Sequence, residues 1–281
     1  MKNPKIGLAL GGGAAKGLAH IGVLKAFEEG GIPIHAIAGS SIGAVVGGCY
    51  AAGVGVSGLT EFALKFGRRS KALWMDPSFF FKGGGILKGD KIEDALRELT
   101  GHKKFSDLKI PFFAVATDLI TGKEVVLKNG DLHAAIHASF SIPGIFSPVR
   151  IGDHLLVDGG VVAPIPTRIL KENGCDIIVG VNVATGARVE SSIATAGTPG
   201  ILDVLIQVLS VTQSKMAFHC MELADIHIIP DTADQSWTDF SKHKELIELG
   251  YKAAKHHMPV IKAMIASTKF TSFFKRLFKS Y

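Results

Sequence analysis

Cysteine is scarce in this sequence, and long hydrophobic runs are missing. Only Cys49, Cys175 and Cys220 occur among 281 residues, too far apart for metal-ligand or Cys-x-x-Cys spacing. We therefore expect buried thiols in a reducing cytoplasm. No apolar run reaches the roughly 18 residues that a membrane-spanning helix needs. The short apolar run at residues 6–10 leads straight into glycines, which predicts a first core strand rather than a secretory signal.

Charge is distributed unevenly along the chain. The formal net charge is +6, yet residues 65–91 carry seven Lys or Arg against two Asp, and residues 268–281 carry four and no acidic residue. Such a balance indicates either nucleic acid or an anionic membrane as a partner. Aromatic and aliphatic residues lie between the cations, and no groove-entering or base-stacking module is recognisable. We therefore expect an anionic membrane surface and no nucleic acid.

Predicted strands and helices alternate along most of the chain. This order predicts an α/β fold with a central, mostly parallel sheet covered by helices on both faces. The length suits one large core, and neither an internal repeat nor a domain linker is evident. We predict one domain over residues 1–267 and a separate C-terminal helix over residues 268–281.

The most informative motif is Gly-Ser-Ser-Ile-Gly at residues 39–43, which fits G-x-S-x-G with Ser41 at its centre. An apolar run at residues 34–38 precedes it and predicts a strand, and a run of small residues follows it and predicts a helix. A sharp turn between a strand and a helix exposes a serine hydroxyl above the sheet edge. The pattern favours Ser41 as a nucleophile, with a simple glycine-rich turn as the alternative.

A glycine cluster at residues 11–17 lies at the first junction between a strand and a helix. It is not a Walker A loop, because Lys16 is followed by Gly17, and it does not fit the dinucleotide fingerprint G-x-G-x-x-G. Backbone amides free of side chains suit either an oxyanion hole or a plain anion-binding turn.

The base that would activate Ser41 is not obvious among the eleven histidines. His133 and His137 are spaced i, i+4, but the residues between them lack the glutamate of a zinc-protease motif, so no metal site is predicted. Asp158 ends an apolar run and is followed by two glycines. Such a carboxylate would suit a general base if it were partly desolvated, although Asp-Gly-Gly is also a common turn.

Five segments taken together are more specific than any one of them. They are the glycine loop at 11–17, the motif at 39–43, Ala-Thr-Asp-Leu at 116–119 with Thr121 and Gly122, Ala138 and Ser139 with Pro143, Phe146 and Pro148, and Asp-Gly-Gly at 158–160. In this order they resemble the bacterial patatin-like phospholipases, which are related to the esterase domain of the neuropathy-target-esterase group. The resemblance covers roughly residues 5–185.

The resemblance implies a three-layer α/β/α fold and hydrolysis of lipid acyl esters by a Ser-Asp dyad without histidine, metal or cofactor. Ser41 would be the nucleophile and Asp158 the base. The backbone amides of Gly11, Gly12 and Gly13 would form the oxyanion hole.

Two positions depart from the family pattern. Lys16 stands where the glycine loop commonly has arginine, which keeps the charge but loses the bidentate fork. Ala163 stands where asparagine often follows the Asp-Gly-Gly motif, which could weaken the bracing of this loop. Neither departure touches Ser41 or Asp158.

Two segments are expected to meet the lipid. Residues 65–91 combine cations, aromatic residues and three successive glycines, and predict a lid over the Ser41 cleft, with core packing as the alternative. Residues 268–281 place five apolar residues on one helical face beside four cations, which predicts a helix in the interface of an anionic bilayer. The alternative is a helix docked on the enzyme or on a second copy of the chain in a homodimer.

Together these patterns predict a cytoplasmic, peripherally membrane-associated serine acyl-hydrolase that acts on phospholipids or lysophospholipids. A soluble esterase or thioesterase is the alternative within the same class. A non-catalytic lipid-binding protein is the alternative from another class, although binding alone does not require both Ser41 and Asp158.

Overall fold

A computed structural model describes residues 3–74, 89–184 and 200–277. Within these ranges the strands are β1 (Ile6–Leu10), β2 (Ala36–Ser40), β3 (Phe112–Asp118), β4 (Glu124–Leu127), β5 (Val149–Ile151), β6 (His154–Asp158), β7 (Ile177–Val181) and β8 (Ile226–Ile228). The α-helices are α1 (Ala19–Gly30), α2 (Ile42–Ala51), α3 (Gly55–Trp74), α4 (Asp90–Leu99), α5 (Leu132–Ser139), α6 (Thr167–Glu172), α7 (Ile201–Met221) and α8 (His243–Leu277). Short 3-10 helices include Ala14–Leu18 and Gly159–Val161.

The strands form one sheet, in which hydrogen bonds link them in the sequence β5-β6-β3-β2-β1-β7-β8, and β4 is also paired to β3. Its centre is parallel, because β3, β2, β1, β7 and β8 run in the same direction, whereas β4 and β6 are antiparallel to β3. Every residue of β1, β2, β3 and β7 is buried. Such burial is typical of a parallel sheet with both faces covered. The predicted fold class is confirmed.

Helices pack on both faces of the sheet. Leu8 of β1 belongs to a buried apolar cluster that includes residues of α1, α2 and α8. Its neighbour Ala9 belongs to a second cluster that includes residues of α6 and α7. Successive strand residues point to opposite faces, so the two clusters are the two sides of a three-layer α/β/α arrangement.

Strands β2 and β6 occupy the same edge of β3, one after the other. β2 pairs with residues 112–115 of β3, and β6 pairs with residues 116–118. β4 pairs with residues 114–117, which overlap both stretches, so β4 lies on the opposite edge. Since β2 is parallel and β6 antiparallel to β3, the carboxyl ends of β2 and β6 meet beside Val115.

The described parts of the two basic segments belong to longer helices, apart from Gly89. Residues 65–74 continue α3, and α4 begins at Asp90, while residues 75–88 of the predicted lid lie outside the described residues. Helix α8 runs through the predicted boundary at residue 267, because residues 260–277 contain neither glycine nor proline. Residues 278–281 also lie outside the described part. Both membrane roles stay predictions. No described helix is long and apolar enough to cross a membrane.

Candidate active site

Ser41 lies in the turn between β2 and α2. Its φ of 56° is unusual for a residue with a side chain, and its carbonyl oxygen accepts the amides of Ala44 (2.8 Å) and Val45 (3.2 Å) at the start of α2. Such a conformation costs about 1–3 kcal/mol and persists only where the surroundings impose it.

The two glycines of the motif make this turn possible. A Cβ on Gly39 would lie 2.5 Å from the Gly43 carbonyl oxygen, and a Cβ on Gly43 would lie 2.1 Å from the Leu10 carbonyl oxygen. Both contacts are with backbone, which has little room to move away. The spacing of G-x-S-x-G therefore reflects the close approach of α2 to β1 and β2 on either side of Ser41.

Ser41 and Asp158 are joined by a short hydrogen bond in a buried site. The Ser41 hydroxyl donates to Oδ2 of Asp158 at 2.5 Å, and the Gly160 amide donates to Oδ1 at 2.7 Å. The two residues are 5% and 1% exposed. Burial raises the pKa of Asp158 to about 6, although the hydrogen bonds from Ser41 and Gly160 oppose this shift. The carboxylate is therefore ionised at pH 7 and yet more basic than an ordinary aspartate, as suits a general base.

The backbones of both residues are held by buried hydroxyls. The Ser41 amide donates to the Ser139 hydroxyl (3.2 Å), which in turn donates to the Val115 carbonyl oxygen (2.5 Å). The Thr117 hydroxyl donates to the Asp158 carbonyl oxygen at 2.9 Å. Ser139, at the end of α5, therefore holds Ser41, and Thr117 of β3 holds Asp158, each through a backbone hydrogen bond.

The glycine loop passes directly beside Ser41. A Cβ on Gly12 would lie 3.3 Å from the Ser41 Cβ. The amides of Gly11 and Gly12, however, already donate to the carbonyl oxygens of Val181 (3.1 Å) and Pro164 (3.0 Å). Among the described residues, the amides of Gly13 and Ala14 have no such acceptor. Of the three amides predicted to bind an oxyanion, only that of Gly13 is thus unengaged in this part of the chain.

His20, in the first turn of α1, hydrogen-bonds to the backbone of the glycine loop. It is fully buried, and its Nε2 lies 2.8 Å from the Gly11 carbonyl oxygen. Because a carbonyl oxygen only accepts, Nε2 carries the proton. Burial lowers the pKa of His20 to about 4, against the opposing effect of this bond, so the ring is neutral at pH 7. Sequence reasoning missed His20, because it looked for a histidine after Ser41.

Two other histidines hydrogen-bond to acidic residues away from Ser41 and Asp158. Nδ1 of His137 lies 3.0 Å from Glu93 on α4, and Nδ1 of His154 lies 3.2 Å from Asp118. Within the described ranges, no histidine hydrogen-bonds to Ser41 or Asp158. The same ranges contain no group of three or more His, Cys, Asp or Glu placed to hold a metal ion.

Gln213 of α7 is a second residue that the sequence did not single out. A Cβ on Gly160 would lie 2.7 Å from its Nε2, and a Cβ on Gly12 would lie 4.0 Å from its Oε1. Its amide therefore lies between the glycine loop and the residue whose amide binds Asp158. Only the docking of α7 brings it there, so no local motif could have indicated it.

The fold and the site define a mostly parallel α/β/α protein with a buried serine and aspartate at the carboxyl edge of its sheet. The family model described as patatin-like phospholipase matches residues 8–171. Because this match covers more than half of the chain, the chain belongs to that family, and the resemblance noted in the sequence is confirmed.

Known relatives agree with this assignment. An uncharacterised NTE family protein of Mycobacterium tuberculosis is 42% identical over 181 residues, which are 64% of this chain and 49% of the relative. The lysophospholipase NTE1 of Debaryomyces hansenii is 26% identical over 275 residues, or 89% of this chain and 18% of the relative. Human patatin-like phospholipase domain-containing protein 6 is 26% identical, with 89% and 20% covered. The chain thus spans about half the length of the mycobacterial relative and about a fifth of the others.

Among solved structures, VipD from Legionella pneumophila resembles the chain with a TM-score of 0.52. The two are 13% identical, and the match covers 92% of this chain and 67% of VipD. This likeness concerns the fold alone.

Proposed function

We propose that this chain hydrolyses acyl esters of phospholipids or lysophospholipids, with Ser41 as nucleophile and Asp158 as base. The observation that carries the proposal is the 2.5 Å hydrogen bond from the Ser41 hydroxyl to a buried Asp158 carboxylate. A structural serine has no need of an adjacent, desolvated carboxylate. Membership of the patatin-like phospholipase family and the name lysophospholipase given to one relative favour lipid esters as the substrate class.

In the acylation step, Ser41 Oγ attacks the acyl carbonyl carbon while its proton moves to Oδ2 of Asp158. The negative charge that develops on the carbonyl oxygen is met by the amides of Gly13 and Ala14, which lack another acceptor among the described residues. When the intermediate collapses, the leaving alcohol takes the proton from Asp158, and an acyl-enzyme remains.

In the deacylation step, Asp158 takes a proton from water, which attacks the acyl-enzyme. Collapse of the second intermediate releases the fatty acid and returns the proton to Ser41. One aspartate therefore serves both steps, first as base and then as acid. A pKa of about 6 suits both roles near neutral pH.

The proposal is tested by mass spectrometry of the products released from mixed phospholipid and lysophospholipid vesicles. The wild type, Ser41→Ala and Asp158→Asn are compared in the presence of a chelator. We expect fatty acid from the wild type alone, and the remaining lipid identifies the bond that was cut. If the wild type releases nothing, or if Ser41→Ala keeps its activity, the catalytic role is refuted. Turnover of soluble short-chain esters without any release from vesicles would favour an esterase or thioesterase.

A further inference from the structure

Among the described residues, the fully buried side chains of helix α7 lie at its carboxyl-terminal end. Ala217 and Met221 are buried, whereas none of the described side chains between residues 201 and 216 is. Met221 contacts β7, since a Cβ on Gly180 would lie 2.5 Å from its Sδ. Gln213, two turns earlier, lies against Gly160 beside Asp158. The helix therefore runs from the middle of the sheet to the active site and continues beyond it.

The part of α7 beyond Gln213 extends well past the site. Ile201 lies twelve positions before Gln213, which at 1.5 Å per residue is about 18 Å. None of the described side chains in this stretch is fully buried, although Ile206 and Leu209 are half-buried. A helix packed on so little buried surface is marginal in water, because most helical stability in proteins comes from a packed apolar face. A partner on the exposed side of this stretch would therefore stabilise it.

Helix α7 carries apolar side chains on its outward face as well as toward the body. Six large apolar side chains are exposed, with exposed fractions from 42% to 83%, and they are Ile201, Val204, Leu205, Val208, Val211 and Phe218. The half-buried positions of the helix are mixed: they include the polar Gln207, Ser210, Gln213 and Ser214 and the apolar Ile206, Leu209 and Met216. A soluble helix places its apolar residues toward the core, so the outward surface is built for an apolar environment.

The outward surface also changes in character along the helix. Between residues 201 and 208 every described exposed side chain is apolar, whereas nearer the anchored end the exposed side chains are mixed, with Thr212, Lys215 and His219 beside Val211 and Phe218. Lys215 lies about 10 Å along the axis from Val208. An apolar tip with a cation about 10 Å behind it matches the change from acyl chains to headgroups across a bilayer interface.

We propose that the tip of α7, formed by Ile201, Val204, Leu205 and Val208, docks the protein on a phospholipid bilayer. The contact would place the site beside Gln213 at the membrane surface, so that a lipid ester reaches Ser41 without crossing water. That consequence rests on the proposed function, whereas the docking itself does not. These four residues lie outside the sequence ranges 65–91 and 268–281, for which the sequence predicted membrane contact.

The test measures vesicle binding by flotation, with every protein carrying Ser41→Ala so that no lipid is consumed. The full chain is compared with Leu205→Ser/Val208→Ser and with the control Ile229→Ser/Val260→Ser. The control residues are 49% and 52% exposed but lie outside α7. Vesicles contain phosphatidylcholine with or without phosphatidylglycerol. We expect about a tenfold loss of partitioning for each α7 substitution, or about 100-fold together, and no change for the control.

Each alternative has its own outcome. Failure of the parent protein to bind vesicles, or equal binding by all three proteins, overturns the proposal. If the α7 variant binds vesicles normally but changes from dimer to monomer in sedimentation, a second copy of the chain covers this face, and the proposal is wrong. Because Ser41 is absent throughout, failure of the hydrolase function cannot produce any of these results.

A second measurement locates the contact directly. Val208→Trp and Val260→Trp are prepared in the same Ser41→Ala background, where the native tryptophans contribute equally. We expect brominated acyl chains to quench the fluorescence of the tryptophan at position 208 and to leave that at position 260 unchanged. Equal quenching at the two positions would contradict docking through α7, even if the serine variant fails to fold.

Discussion

The burial of Asp158 predicts that its replacement by asparagine will inactivate the protein and stabilise it at the same time. Burial raises the pKa of this carboxyl from 3.8 to about 6, with the bonds from Ser41 and Gly160 acting against the rise. Two pKa units correspond to about 3 kcal/mol, which the folded state loses by keeping Asp158 ionised at pH 7. An asparagine side chain carries no charge and has a similar shape. Asp158→Asn should therefore raise the free energy of unfolding at pH 7 by up to about 3 kcal/mol.

The pH dependence follows from the sign of the shift. Between pH 4 and 6 the folded protein binds a proton that the unfolded chain does not, so the wild type gains stability as the pH falls through this window. This gain in stability is complete below the pKa that Asp158 has in the unfolded chain. The free energy of unfolding of Asp158→Asn should therefore exceed that of the wild type by about 3 kcal/mol at pH 7, and this difference should vanish near pH 4.

The assay is thermal or urea unfolding of the wild type and Asp158→Asn at several pH values from 4 to 8. At pH 7 we expect the Tm of the variant to be roughly 5–10 °C higher, while its hydrolysis falls by about 10²–10⁴-fold. Asp153→Asn, in the exposed turn between β5 and β6, is the control, and its stability difference should not follow this pattern. A variant less stable than the wild type at pH 7, or a difference independent of pH, would refute the reasoning.

Three further predictions concern the same site. The kcat/KM of the wild type should fall about tenfold per pH unit below pH 6, as Asp158 becomes protonated; a profile flat to pH 5 would contradict its role as base. His20→Leu should lower the free energy of unfolding by about 1–3 kcal/mol and should also lower kcat, because the Gly11 carbonyl loses its buried donor. His20→Gln can still donate a hydrogen bond, so its free energy of unfolding and its kcat should both fall less. Ser139→Ala should reduce kcat more than it raises KM, because the Ser41 amide loses its acceptor. If the stability, kcat and KM of this variant equal those of the wild type, Ser139 does not position Ser41.

The sequence was most informative where a physical requirement is local. The spacing of Gly39, Ser41 and Gly43 predicted the turn between a strand and a helix, because the glycines are needed within a few residues of the serine. The alternation of strands and helices predicted the mostly parallel sheet, because apolar runs and turn residues are local signals too. The five motifs together predicted the family, which the family model confirmed.

The tertiary structure decided what depends on distant segments. Ser41 and Asp158 are 117 residues apart and meet only because β2 and β6 share one edge of β3. Strand order is set by long-range pairing, which leaves no mark near either residue. Long-range packing also brings Val181 and Pro164 to the glycine loop, where their carbonyl oxygens accept the Gly11 and Gly12 amides. In the same way, the docking of α7 brings Gln213 to the site. The sequence alone could thus indicate the chemistry of the candidate residues, whereas their geometry and protonation depend on burial that only the folded chain creates.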